Sequence, residues 1–492
     1  MHYPKSLIRG AVQLGGLTLK TRSKFCVAAI LVLVVSNHAQ SAKPPNVVLI
    51  ISDDQTYTDF SFMGNKDVLT PNLDRLAGQS ARYVNGYVPS SVCRPSLVSI
   101  LTGLYPHQHG VYFNHPPPGF GALTKSPTIG KAEFDAFREK AASLIRSQTT
   151  LPRRLAAAGY RCFQTGKYWE GHWRNAGFTE GMTTAEPSSG AKNGNKTLAN
   201  GDVVAHGNGD HGLSIGRETM QPIYDFIDDC GDTPFFVWYA PFLPHTPHDS
   251  PQKYFDRYEA RTDVPKHRVP YYAAISQFDD TVGELVNFVE NRGLAEDTIF
   301  VFVVDNGWEP DSARFRSAIG EWDHTKRSKR APFDAGLRTP ILIRWDGRAK
   351  SATHQAPVSS IDILPTLLAA TGLAKDSDSF PGRNLWPSAI GENALDANRA
   401  VFGEIYPGDA SSLGHPELDV AHRWIRKGNL KLITTHKHRA THSWGSYLEG
   451  DALFDVASDP TESRNLIGNP QFASDVGNLR KELNEWWNPD SD

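Results

Sequence analysis

Short apolar runs recur along the chain at 46–51 (NVVLII), 160–165, 234–239 (PFFVWY), 299–304 (IFVFVV) and 341–345 (ILIRW). They are rich in Val, Ile and Phe and lack clean alternation with polar residues. That is the pattern of parallel strands covered on both faces. Helical patterns stand between them. Residues 271–292 set Ile275, Phe278, Val282, Leu285 and Val289 on one face. Residues 150–158 open on Thr150 and Pro152 and stop at Gly159, and 360–371 form another short helix. The alternation predicts an α/β fold with a mostly parallel central sheet flanked by helices.

Two stretches interrupt the pattern and read as surface loops. Residues 114–130 are rich in Pro and Gly, and 186–212 are rich in Gly, Asn, Ser and His. The second includes an Asn195-Lys196-Thr197 sequon. Near 375–400 the composition shifts to Asp, Ser, Gly and Pro. Beyond it, 421–434, 452–456 and a helical run from 470 to 487 predict a smaller α+β subdomain of antiparallel strands and a helix. We therefore divide the chain into a main α/β domain over 44–375 and a C-terminal subdomain over 376–492. There are no internal repeats.

The N-terminus follows different rules. Residues 1–24 carry six basic side chains, counting His2, and no acidic one. An apolar run at 25–35 follows, too short to span a bilayer, and then Ala39-Gln40-Ser41. Residues 1–42 read as an export signal, which predicts a periplasmic or secreted protein. No other segment has the length and apolarity of a stable membrane span.

A formal net charge of -3 over 492 residues gives no reason to expect a nucleic-acid partner. Of the four cysteines, Cys26 falls in the signal. Cys93, Cys162 and Cys230 remain, so at most one disulfide can form. Cys162 lies in a strand, where a small core residue is expected.

The candidate chemistry gathers at strand ends. Asp53 and Asp54 directly follow one apolar strand, and Asp305 and Asn306 follow another. In open α/β sheets, ligands bind beyond the carboxyl ends of the strands. An all-oxygen set there suits Ca²⁺ or Mg²⁺ and not zinc. Cys93 sits in Ser91-Val92-Cys93-Arg94-Pro95-Ser96-Leu97, and Pro95 marks a helix start. Free N–H groups there favour an anion and would lower a thiol pKa. Taken alone, the position is better explained by a structural cysteine at a helix start. Lys167 ends a strand, His245 lies between Pro244 and Thr246-Pro247, and Lys329 precedes Phe333 to Pro340. Each has an ordinary reading as a surface lysine or loop histidine. Together on one sheet edge they would form a pocket for a sulfate or phosphate group.

These segments resemble the sulfatase family of the alkaline-phosphatase-like superfamily. The likeness runs from about Asn46 to Leu466. It is carried by NVVLIISDD (46–54), TPNLDRLA (70–77), Cys93-Arg94-Pro95-Ser96, Leu101-Thr102-Gly103, Gly166-Lys167, Pro244-His245, Asp305-Asn306-Gly307 and Lys329 to Pro340. The resemblance implies that a maturation enzyme oxidises Cys93 to Cα-formylglycine, whose hydrate attacks a sulfate ester. It implies Ca²⁺, with Mg²⁺ second, held by Asp53, Asp54, Asp305, Asn306 and the modified residue 93. Lys167 and Lys329 would neutralise the sulfuryl group, and His245 would protonate the leaving alcohol. A sulfated polysaccharide or oligosaccharide is the expected substrate, with the Trp residues and a His436, His438 and His442 stretch as candidate pocket rims.

Two positions depart from the family pattern. Leu97 stands where C-x-P-S-R has Arg, and Arg94, at the helix start, does not reach the same spot. Trp169 stands where G-K-x-H has His, with His172 and His109 as candidate replacements. Two other readings stay open. One is a phosphodiester or phosphonate monoester hydrolase of the same superfamily. The other is a catalytically silent glycan-binding homologue. A two-zinc phosphatase is disfavoured, because no second ligand set is evident and position 93 is not Ser or Thr.

Overall fold

The strand β1 (Asn46–Ser52) is buried at every residue and lies in the interior of the main sheet. The structure, a computed structural model, describes residues 43–188, 194–205, 211–308, 327–406, 408–436, 448 and 450–491. The export-signal segment and His438 and His442 therefore lie outside the described residues. In chain order the remaining strands are β2 (Ala81–Tyr87), β3 (Arg161–Gly166), β4 (Glu180–Gly181), β5 (Asn195–Thr197), β6 (Val203–Ala205), β7 (Phe235–Ala240), β8 (Thr298–Val304), β9 (Arg338–Arg344), β10 (Ala352–His354), β11 (Val358–Ser359), β12 (Ala400–Ile405), β13 (His422–Lys427), β14 (Leu430–Thr435) and β15 (Ala452–Asp455).

The main sheet runs β10-β2-β9-β8-β1-β7-β3-β4, with β11 also pairing β2. β1 pairs in parallel with β7 and β8, and β3 with β7 and β4. Burial on both faces is why these strands read as continuous apolar runs. Val47, Leu49 and Ile51 pack on one side against α2 (Cys93–Thr102) and the helices Leu151–Ala157 and Ile363–Ala370. Val48 and Ile50 pack on the other against α1 (Pro71–Gly78) and the helices Gln221–Cys230 and Val269–Asn291. Each such aliphatic side chain contributes roughly 1.5–3 kcal/mol by leaving water. This is the mostly parallel, helix-flanked sheet that the pattern predicts.

One strand direction differs from expectation. The run at 341–345 lies in β9, which is antiparallel to both β8 and β2. Antiparallel neighbours need no crossover helix. β9 therefore starts at the edge where β8 ends. β2 then runs the same way as β1, so its carboxyl end also reaches that edge. The reversal thus brings the segments before β9 and after β2 to the carboxyl ends of the parallel strands.

Smaller differences also have local causes. The stretch at 186–212 carries a hairpin, β5 with β6, and 114–130 carries a short helix at Phe120–Leu123. The helices Pro71–Gly78, Lys131–Ala141 and Gln221–Cys230 are short amphipathic elements without a strong apolar run. Cys93, Cys162 and Cys230 are all free thiols, and Cys162 is core. Among the described residues, no helix is long and apolar enough to cross a membrane.

The antiparallel sheet β12-β13-β14-β15 packs beside the segments that flank β2 and β9. Gly403 of β12 lies against the backbone there. A Cβ at this position would meet the Pro89 carbonyl oxygen at 2.2 Å. Glu404 N–H donates to the same carbonyl at 2.8 Å. A buried charge cluster completes the contact. The Lys431 ammonium lies 2.9 Å from Asp334 and 3.0 Å from Glu462, and Tyr87 O–H donates to Asp334 at 2.7 Å.

Burial raises the Glu462 carboxyl to about 7; Lys431 opposes the shift and Asp334 adds to it. The folded chain thus holds a proton that the unfolded chain, with a value near 4.5, has released. Stability from this group is full below the unfolded value and is lost as pH rises through the folded one. Melting temperatures of the parent should therefore fall relative to Glu462→Gln between about pH 5 and about pH 8. A pH-independent difference between the two proteins would contradict the linkage.

Candidate active site

The carboxyl edge of the main sheet gathers the eight residues named from the sequence as nucleophile, metal ligands or charge-handling groups. Asp53 and Asp54 follow β1, Lys167 follows β3, His245 lies beyond β7, and Asp305 and Asn306 follow β8. Lys329 precedes β9, and Cys93 opens α2 after β2. All are buried except His245, which is partly exposed.

Local backbone geometry sets these side chains. Asp54 adopts a left-handed conformation with φ 62°, a region that Asp tolerates better than most residues. The turn lets Asp54 N–H donate to Asp305 Oδ1 at 3.0 Å, which ties two strand ends together. Gly166 has φ 67°, and a Cβ there would sit 1.9 Å from the Ala240 carbonyl oxygen. Only glycine permits that approach, and it turns Lys167 back over the sheet edge. Val92 precedes α2 in an extended conformation, and Cys93 in the first turn of α2 reaches Asp53 and Asp54.

The side chains then interlock. Cys93 Sγ lies 3.7 Å from Asp53 Oδ1, 3.7 Å from Asp54 Oδ1 and 3.4 Å from Lys167 Nζ. Lys167 Nζ donates to both oxygens of Asp53, at 3.0 and 2.9 Å. Lys329 Nζ donates to Asp54 Oδ2 at 2.7 Å and lies 3.2 Å from His245 Nε2. Asn306 Nδ2 donates to Asp54 Oδ1 at 2.6 Å. His245 Nδ1 lies 2.6 Å from the Thr246 carbonyl oxygen, so that nitrogen carries the proton. Nε2 of the neutral ring then accepts from Lys329.

Electrostatics follow from this packing. Burial raises the Asp53 carboxyl, with Lys167 opposing, and pushes Asp305 well above the carboxylate range, with Asp53 adding to it. Burial acts on Asp54 in the same direction, but His245, Lys329 and Lys167 outweigh it and hold Asp54 low. Burial works against the Lys167 ammonium, yet Asp53 foremost keeps it charged. Burial also drives His245 well below the usual imidazole range, against Asp54. The Cys93 thiol is pushed well up by burial, against both lysines. This reverses the expectation that the helix start lowers it. An unmodified Cys93 is a protonated thiol and a poor nucleophile.

The donor set fits a hard cation. Ligand atoms of Asp53, Asp54, Cys93 and His245 lie within 4.8 Å of one another. Asp305 Oδ2 and Asn306 Oδ1 are buried without a hydrogen-bond partner. Buried oxygens left in this way suit coordination, and oxygen-rich sets suit Ca²⁺ or Mg²⁺.

Above these residues opens a cavity of about 200 Å³ lined by Cys93, Lys167, His245 and Lys329, with Trp169 and Phe242 as aromatic walls. His115, Asn114 and Arg330 also line it, and none was marked in the sequence. His115 lies in the Pro-rich loop read as surface, and its spacing gives no signal. Asn114 Oδ1 accepts from the Arg94 N–H at 3.2 Å, which holds that loop against the Cys93 segment. The replacement histidines weighed from the sequence are elsewhere. His109 Nε2 lies 3.1 Å from Ser99 Oγ beneath α2, and His172 Nδ1 accepts from Arg174 N–H at 3.2 Å. Leu97 packs into the core, and Arg94 pairs with Glu170 at 2.6 Å.

A family model described as Sulfatase matches residues 45–373, more than half of the chain. The chain belongs to the sulfatase family. A second model, N-sulphoglucosamine sulphohydrolase, C-terminal, matches residues 320–488 of this sulfatase. Arylsulfatase A of Homo sapiens is 29% identical over 473 residues, covering 89% of this chain and 86% of its own. An ulvan-active sulfatase of Formosa agariphila is 27% identical, covering 90% and 80%. A solved structure concerned with the metabolism of multiple glycosaminoglycans by Bacteroides thetaiotaomicron shares the fold. Its TM-score is 0.67 at 20% identity, over 90% of this chain and 99% of that one. The sheet and its smaller antiparallel companion are thus the alkaline-phosphatase-like sulfatase fold, and the protein is a sulfuric ester hydrolase.

A hard divalent cation on this donor set would stabilise the folded chain by about 2.7 kcal/mol at a hundredfold excess over Kd, so adding calcium or magnesium to metal-stripped protein tests the site as a rise in melting temperature. Asp305→Ala should lose most of that shift. An undiminished shift in the variant would put the ion elsewhere.

Proposed function

We propose that this sulfatase cleaves sulfate esters of sulfated polysaccharides or oligosaccharides, with residue 93 as the nucleophile. The carrying observation is the packing of Cys93 Sγ between two carboxylates and the Lys167 ammonium, at the floor of an aromatic-walled cavity. Oxidation of Cys93 to Cα-formylglycine by a maturation enzyme would replace an inert buried thiol with a hydratable aldehyde. Ca²⁺ held by Asp53, Asp54, Asp305, Asn306 and the modified residue 93 would polarise sulfate oxygens and favour an ionised attacking hydroxyl.

The chain's own residues supply the rest. Lys167 and Lys329 flank position 93 and offset charge on the sulfuryl group where it develops. Their salt bridges to Asp53 and Asp54 fix both ammonium groups before substrate arrives. Lys329 and His245 Nε2 form a proton-bearing pair at the cavity wall, suited to protonate a departing alkoxide. Trp169 and Phe242 flank Lys167, with ring centroids 5.4 and 5.2 Å from its Nζ. These faces suit a sugar or aryl leaving group and keep water off the ammonium. The ulvan-active relative supports a glycan substrate. The basic and apolar N-terminal stretch supports export to the periplasm or beyond, with 44–375 as the catalytic part and 376–492 as its supporting subdomain.

Two experiments test this reading. In protein from its native source, the peptide carrying residue 93 should have lost its thiol and gained a hydrazide-reactive aldehyde. Cys93→Ala should abolish turnover while keeping the parent's melting temperature within a few degrees. An intact thiol in active protein, or turnover by Cys93→Ala, would falsify the nucleophile assignment. For the proton donor, His245→Ala should lower kcat on a sugar sulfate by about a hundredfold. The loss should be much smaller on 4-nitrophenyl sulfate, whose leaving group needs no proton. Equal losses on both substrates would assign His245 to sulfate binding instead.

A further inference from the structure

His245 sits on a loop that is held largely from outside. Residues 241–247 read Pro-Phe-Leu-Pro-His-Thr-Pro, and the three prolines have no N–H to donate. The loop leaves β7 at the carboxyl edge of the sheet and carries both His245 and the aromatic wall Phe242. Its backbone carbonyls therefore draw on donors from other elements. Asp53 N–H donates to the Leu243 carbonyl oxygen at 3.0 Å. A single side chain, Arg217, meets three of the others.

Arg217 Nε donates to the Phe242 carbonyl oxygen at 2.7 Å. Its Nη2 donates to the carbonyl oxygens of His245 and Pro247, at 3.0 and 2.9 Å. Its Nη1 pairs with Asp249 at 2.6 Å. The guanidinium also lies 5.1 Å from the centroid of the Phe242 ring, and that ring stacks on the His245 imidazole with centroids 4.4 Å apart. All these contacts fall on the segment 242–249. A guanidinium presents its donors as a rigid planar fork, so it sets the path of the loop as well as attracting it. Arg217 is itself anchored. It lies in a turn where Gly216 N–H donates to the Thr219 carbonyl oxygen at 2.9 Å. From the helix Val269–Asn291, Gln277 Nε2 donates to the Gly216 and Arg217 carbonyl oxygens, at 3.3 and 3.2 Å. Leu213, four residues before Arg217, lines the catalytic cavity, but Arg217 is not among the described residues that line it.

We infer that Arg217 is the positioning residue of His245. It stands outside the cavity and acts through the loop, keeping His245 Nε2 at the cavity wall, 3.2 Å from Lys329 Nζ. The Thr246 carbonyl oxygen on Nδ1 sets the rotation of the imidazole, and Arg217 sets where the ring stands. The inference rests on the proton-donor reading of the Lys329 and His245 pair given above.

The test is a double-mutant cycle of Arg217→Ala and His245→Ala, read as kcat on 4-nitrophenyl sulfate and on phenyl sulfate, whose phenolate is the more basic leaving group. Arg217→Ala should lower kcat on phenyl sulfate at least about tenfold with KM little changed. On 4-nitrophenyl sulfate it should stay within about twofold of the parent. Added to His245→Ala, it should cost no more than about a further twofold, because it acts through that residue. Arg217→Lys keeps the charge and loses the fork, so it should show the same pattern to a smaller degree, and it carries the test if the alanine variant fails to fold. Losses that multiply in the double variant, or Arg217 variants equal to the parent on both substrates, would overturn the positioning role. So would a loss alike on both substrates beside a leaving-group-dependent loss in His245→Ala. If both single variants lost the two substrates alike and the double variant lost no more, the positioning role would stand and the proton-donor reading would fall.

Discussion

Two carboxylates at the end of the central strand, each paired with its own buried lysine, govern the architecture of this sulfatase. Asp53 and Asp54 are adjacent in sequence and almost wholly desolvated. Leaving either charge unpaired in that setting would cost about 3–5 kcal/mol, a large share of the stability of a domain. Lys167 comes from one side of β1 and Lys329 from the other. Each arrives by a device that brings a long side chain back over the sheet edge: a left-handed glycine after β3, and a reversed strand at β9. The strain at Asp54 and the close approach at Gly166 both serve this arrangement. Such pairs contribute little net stability but hold their members in fixed geometry, which is what charge stabilisation in catalysis requires.

Much of this was legible in the sequence because buried parallel strands leave a strong mark. β1, β3, β7 and β8 read as apolar runs, and acids or a lysine at their ends read as site candidates. Strand direction leaves no such mark. The run at 341–345 looks like the others, and its antiparallel course depends on where the preceding segment lies. β2 (ARYVNGY) and β12 (AVFGEI) are diluted by polar residues and glycine, because each has a partly covered face. His115 was invisible for another reason. It sits in a loop whose composition signals exposure, and tertiary contacts bring it to the cavity: the hydrogen bond from the Arg94 backbone to Asn114 and the ring contact with Trp169. The thiol at Cys93 shows a further limit: a helix start predicts a low pKa, whereas complete burial imposes a high one.

The two departures from the family pattern have distinct physical consequences. Leu97 is absorbed into the core beside Ile100 and Leu101, so an arginine there would bring a charge into apolar packing. Trp169 does not leave a gap where a histidine is expected. It closes the wall beside Lys167 and stacks obliquely on His115, with ring centroids 5.8 Å apart. A large flat surface stands on the wall of the catalytic cavity where the family pattern has a titratable group.

The antiparallel sheet near the C-terminus bears on how this enzyme can be taken apart. Its Gly403 and Glu404 lie against Pro89, four residues before Cys93. Its Lys431, with Glu462, grips Asp334, five residues after Lys329. The Arg330 N–H closes the ring by donating to the Ser91 carbonyl oxygen at 2.9 Å. The small sheet is therefore a brace for the Cys93 segment and for Lys329, although none of its described residues lines the cavity over Cys93. A shortened chain would retain the carboxylate half of the centre and lose the framework for the other half. For this architecture, modular trimming and reactivity are incompatible.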